Sequence, residues 1–133
     1  MKKYTIFLIC FILIATFLCI SVNATNDINP LWDNVESISI QLSFDGNKGK
    51  ATAVTFNQPG VTFSEGILAV YEKQNEDWEL VDATYDETVE EAFAISLDFI
   101  ATSGMQYKAV FEVIAYRQDN AETITSTTTK YCP

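Results

Sequence analysis

The sequence predicts an all-β fold, a seven-stranded antiparallel sandwich that follows an N-terminal signal segment. Three observations predict it. Residues 93–99 put Phe93, Ile95, Leu97 and Phe99 on one side, and after a short loop holding Gly104 the next run does the same with Tyr107, Ala109, Phe111 and Val113. Such period-two alternation is the mark of half-buried strands. Clusters of Gly, Asn, Asp and Pro punctuate the remainder at the spacing of a small all-β domain. Beyond the signal segment, no stretch repeats its apolar residues at helical spacing.

The elements follow in order. Met1, Lys2 and Lys3 make a short basic start. A mostly apolar run over residues 4–20 follows, then Val22 and Ala24, small residues at the two positions a signal peptidase reads. Residues 1–24 therefore read as a signal peptide cut before Thr25. The other reading is an uncleaved anchor over residues 4–20, slightly short for a bilayer span of about 20 residues. Residues 25–34 are a lead-in arm. Its Trp32 is expected to dock on the sandwich, since so large an apolar group is costly to leave in water. Residues 35–133 are the sandwich domain.

Within that domain, residues 37–44 alternate cleanly, with Ile38, Ile40, Leu42 and Phe44 on one side. A turn at Asp45-Gly46-Asn47 leads to a return strand over residues 50–57. Its facing is open, because Val54 and Phe56 oppose Ala51 and Ala53. Gln58-Pro59-Gly60 breaks the ladder. Residues 67–73 form a third strand with both faces apolar, and residues 78–83 a fourth. The acidic, threonine-bearing stretch 84–91 reads as an exposed connection. Residues 93–99 and 107–116 are the fifth and sixth strands. The seventh, 122–131, is dominated by β-branched threonine.

Removing residues 1–24 leaves 109 residues, one domain that can fold without staples. Six basic against eighteen acidic residues then give a net charge of −12. That balance repels phosphate backbones and anionic lipid, so nucleic-acid and membrane-surface roles are disfavoured. Cys10 and Cys19 lie in the signal segment, so Cys132 remains as an odd cysteine. It is either an inert tail thiol or the link of a disulfide homodimer.

The chain contains no histidine, which removes Ser-His-Asp and Cys-His nucleophile systems and histidine-ligated metals. No glycine-rich phosphate loop occurs. Carboxylate pairs of the glycosidase kind are present by residue type, but a short-looped sandwich offers little cleft to hold a sugar. No enzymatic activity and no cofactor are expected. The densest acidic cluster runs over residues 76–91, and Glu76, Asp77, Asp82, Asp86 and Glu87 are the candidate calcium ligands there. It lacks the glycine a tight calcium loop requires, and charges on an edge strand also serve to discourage sheet-to-sheet aggregation. A second candidate is a surface. If Leu68, Val70, Phe111 and Val113 point inward, then Tyr71, Val110, Ile114 and Tyr116 point outward from neighbouring strands. They would form an apolar, tyrosine-bearing interaction face, unless the arm at residues 28–32 covers it.

Leu97, Gly104 and the run Tyr107-x-Ala109-x-Phe111 resemble the fibronectin type III and immunoglobulin-like sandwiches. There a tyrosine near the start of the penultimate strand bonds back across a corner, and Tyr107 would be that tyrosine. The stretches 49–53, 71–73 with Trp78, 104–108 and 127–132 are similar to small secreted single-domain proteins of Gram-positive bacteria. That resemblance implies a sandwich on the outside of a cell and brings no known activity; the tyrosine-bearing face, or an added strand at the sheet edge, is what suggests contact with an extracellular protein or cell-wall component. Relatives of this type often carry a second cysteine near the position of Ala53, able to pair with the C-terminal one. Here alanine stands there, which leaves Cys132 unpaired.

Overall fold

The computed structural model describes residues 32–133; the signal segment and most of the lead-in arm lie outside the described residues. The strands are β1 (Val35–Asp45), β2 (Lys48–Asn57), β3 (Phe63–Gln74), β4 (Asp77–Thr88), β5 (Ala92–Ile100), β6 (Gln106–Arg117) and β7 (Asn120–Tyr131). They form two antiparallel sheets, a three-stranded one in the order β1-β2-β5 and a four-stranded one in the order β4-β3-β6-β7. The fold is a seven-stranded antiparallel β-sandwich, and no helix is found among the described residues.

β2 faces inward through its small residues. As the central strand of its sheet, it is flanked on both sides by large side chains. Ala51 lies between Leu42 and Leu97, Ala53 between Ile40 and Ile95, and Gly49 between Phe44 and Phe99. Both alanines are fully buried, while Phe56 is turned out and about half exposed. The rows on either side already fill the width of the sheet, and interior space is packed to near-crystalline density. Larger residues on β2 would have nowhere to go.

The fourth strand is longer than the sequence expectation. β4 runs on to Thr88, so the first five residues of the expected loop at 84–91 are strand. They pair with β3 at Tyr85–Ile67 and Thr88–Ser64. Their charges face solvent along an open edge, as edge strands commonly require. The strongest alternating pair, β5 and β6, does not lie side by side: β5 closes the three-stranded sheet and β6 sits inside the four-stranded one. Both apolar faces are thus buried against each other across the sandwich. Tyr107 secures the crossing. Its ring is fully buried, its hydroxyl accepts the Thr102 N–H at 2.8 Å, and it donates to Glu72. That is the corner geometry the resemblance implies.

Between the sheets, Phe44 and Phe99 pack on Tyr107 with ring centroids 5.5 and 5.3 Å away, and Phe93 meets Phe111 at 6.1 Å. Trp32 packs against this core cluster. Behind it, the Asn34 N–H donates to Glu122 at 2.7 Å and its carboxamide to the Ala115 carbonyl at 3.0 Å, which ties the start of β1 to β6 and β7.

Cys132 belongs to the core rather than to a free tail, being 1% exposed. Its N–H donates to the Met105 carbonyl and its own carbonyl accepts from Gly104, both at 2.9 Å, so the chain after β7 is laced to the β5–β6 loop. A disulfide to a second copy would first require that end to open. In protein whose only cysteine is Cys132, the thiol is expected to resist a water-soluble thiol reagent under native conditions. It should react fully once the chain is denatured. Rapid native labelling would contradict this burial.

Candidate functional site

Strand pairing assembles a broad outer face on the four-stranded sheet. Tyr85 of β4 sits opposite Ile67 of β3, which is opposite Glu112 of β6, which is opposite Thr125 of β7. One step along, Ala83, Ala69, Val110 and Thr127 form the next row. The inward positions of β6 are all buried, so Val110, Glu112, Ile114 and Tyr116 must point outward. All four residues of the predicted interaction face therefore lie on this surface. Of the arm over residues 28–32, Trp32 packs on the core cluster, and residues 28–31 lie outside the described residues.

Exposure divides the four. Val110, Ile114 and Tyr116 are half-buried, whereas Tyr71 is only 8% exposed. Tyr71 is part of a stack instead of a free contact. The Lys108 ammonium lies 5.0 Å from the Tyr71 ring centre and 4.5 Å from that of Trp78, and Lys73 lies 5.7 Å from Trp78. Ammonium groups at this distance from aromatic rings are held by the ring quadrupole. Desolvation in the stack pushes the Lys108 pKa below its ordinary value and that of Tyr71 above.

The other end of the face is acidic and hydroxyl-rich. Tyr116 donates to one oxygen of Glu65 at 2.6 Å, and the Tyr85 hydroxyl lies 3.0 Å from the other and 2.8 Å from Glu87. Both phenols are raised above their usual range. Desolvation is the main cause for Tyr85, and the hydrogen bond to Glu65 for Tyr116.

Glu112 stands between these ends. No described residue donates a hydrogen bond to it; its neighbours across the strands are Ile67 and Thr125, and along its own strand Val110 and Ile114. Desolvation lifts its carboxyl above the ordinary carboxylate range. The titratable groups sharing the face are Glu65, Tyr71 and Lys73 on β3, Tyr85 and Glu87 on β4, Lys108 and Tyr116 on β6, and Tyr131 at the far end of β7; directly beside Glu112, β7 presents only threonines. The folded chain thus holds the Glu112 proton more tightly than the unfolded chain. This stabilisation is full below the unfolded pKa and is lost as pH rises through the folded one. Glu112→Gln is therefore expected to raise Tm near neutrality, with the gain shrinking as pH falls through the ordinary glutamate range. Thermal melts across pH measure it, and a variant less stable at neutral pH would refute the assignment.

The candidate calcium ligands are not brought together. Glu76 and Asp77 lie at the β3–β4 turn, Asp82 and Asp86 pair opposite the inward Val70 and Gly66, and Glu87 is on the outer face. The Asp82 and Asp86 carboxylates accept from the backbone N–H of the next residue, at 2.8 and 2.9 Å. Among the described residues, no three such groups converge to hold a metal ion. Sequence alternation does not single out Glu65, Tyr85, Lys108 and Glu112. The readable trace of Glu112 is a carboxylate at an outward position between Val110 and Ile114, while Tyr85 lies in the stretch 84–91, whose acidic, threonine-bearing sequence reads as a connection.

No protein-family model matches the chain, and no curated protein matches it. Among solved structures it is similar to the β-glucuronidase of Parabacteroides merdae, with a TM-score of 0.51 at 14% identity. The likeness covers 74% of this chain and 13% of that enzyme, so it concerns a small part of a much larger protein. At this identity it shows the sandwich fold alone.

Proposed function

We propose that the protein is a secreted, non-catalytic β-sandwich module, of the kind found as single domains in Gram-positive bacteria, that binds an extracellular protein or cell-wall component. The observation that carries this reading is the half-buried apolar strip of Ile67, Val110 and Ile114 on the outer face, bordered by the exposed Tyr85. Apolar patches left on a sheet surface commonly mark binding sites. The amino-terminal segment supports export, and the lack of any histidine supports a non-catalytic role.

Two variants test it, Ile114→Lys and Val110→Glu, each checked for an unchanged circular dichroism spectrum. Incubated with the producer's culture and wall fractions, the wild type should retain a partner that both variants lose. Equal retention by all three would place binding elsewhere and sink the proposal. Recovery of the chain from cells rather than medium, with residues 1–24 still attached, would overturn the export part.

A further inference from the structure

Resting on this reading of the outer face, we infer that its occupant is a protein segment that sets an arginine or lysine side chain on Glu112, with apolar residues on either side. The surface asks for such a group. Glu112 is half-buried in the middle of an otherwise uncharged strip formed by Ile67, Val110, Ile114 and Thr125, with no hydrogen-bond donor from the described residues. A carboxylate in such a setting bears a desolvation cost that a paired cation offsets.

The chain's own cations on this face do not serve. Lys108 is four residues along the same strand, about 13 Å away at the usual rise, and it is turned onto the Tyr71 and Trp78 rings. Lys73 sits on Trp78 as well. The carboxylates nearest Glu112 across the face, Glu65 and Glu87, add to the attraction for a positive partner and repel an acidic one.

A polypeptide suits the strip better than a glycan does. A sugar platform would need free aromatic faces, whereas Tyr71 is covered and the half-exposed Tyr85, two strands from Glu112, has its hydroxyl engaged by Glu65 and Glu87. Directly beside Glu112 lie the branched side chains of Ile67, Val110, Ile114 and Thr125, a surface that matches apolar side chains flanking a cation.

The test is selection of a random-peptide phage library on the immobilised chain, with binders sorted by loss of binding to Ile114→Lys and to a second face variant, Thr125→Lys. The expected result is a pool lost on both variants and enriched in Arg or Lys flanked by apolar residues. Synthetic members should bind Glu112→Gln at least about tenfold more weakly, as loss of a close charge pair implies, although that variant is the more stable one. Face-dependent peptides that carry no cation, or that bind Glu112→Gln undiminished, would overturn the inference and leave the face reading intact. Binders indifferent to both face variants would overturn both. A wild-type dimer in sedimentation that Ile114→Lys dissolves would make a second copy the occupant and overturn the inference, as would wall glycan that binds in an Ile114-dependent way.

Discussion

Replacing Phe111 by alanine is expected to cost about 3–5 kcal/mol, the range for truncating a fully buried aromatic ring. Phe111 is wholly buried on β6, at the centre of the four-stranded sheet, and faces Phe93 across the interior. Its neighbours belong to opposite sheets and are fixed by their own strand pairing, so neither can collapse far into the space. In a domain of this size such a loss lowers Tm by about 15–30 °C. In urea, the midpoint should fall with little change in slope. A cost below about 1 kcal/mol would mean that the two sheets close over the gap, contrary to a tightly packed core.

Gly66→Ala is the second large effect, and its sign is diagnostic. On an unconstrained strand, alanine is favoured over glycine by roughly 0.5–1 kcal/mol because it has less backbone freedom to lose. At Gly66, however, an added Cβ would stand 2.5 Å from the Phe93 ring and 2.8 Å from that of Phe111. Both rings are buried, so one must leave its well. The expected result is a destabilisation of about 1–3 kcal/mol. Gly66→Ala combined with Phe93→Leu should be less damaging than the sum of the two single changes, because the smaller side chain clears the space. Additive losses would show that the clash is relieved elsewhere. Together the two experiments probe one contact from both directions, by removing volume and by adding it.

Glu112→Gln belongs to a different class. It is expected to gain stability while losing affinity, a trade-off that arises where a site is kept uncomfortable for the sake of a ligand. Core variants such as Phe111→Ala should lose stability without any preference for cationic peptides. The two patterns separate a binding residue from a packing residue on the same strand, one position apart.

The sequence by itself determined the fold class, all seven strands and the turn positions, because period-two alternation and turn residues are local properties. It also marked Tyr107 as a corner tyrosine, and placed Tyr71, Val110, Ile114 and Tyr116 together once the third and sixth strands were taken as neighbours. Only the tertiary structure decided the rest. Ala51 and Ala53 face inward on β2 because Leu42, Leu97, Ile40 and Ile95 flank them from strands distant in the chain. The extension of β4 over residues 84–88 depended on its partner β3, since those residues are too polar to announce a strand. Cys132 is buried because the chain end pairs with the β5–β6 loop, a contact that spacing does not reveal. Tyr71 was removed from the open surface by Lys108 and Trp78, and Glu112 was left there without a counter-ion. Which polar group finds a partner depends on register across strands, and no alternation pattern within one strand encodes it.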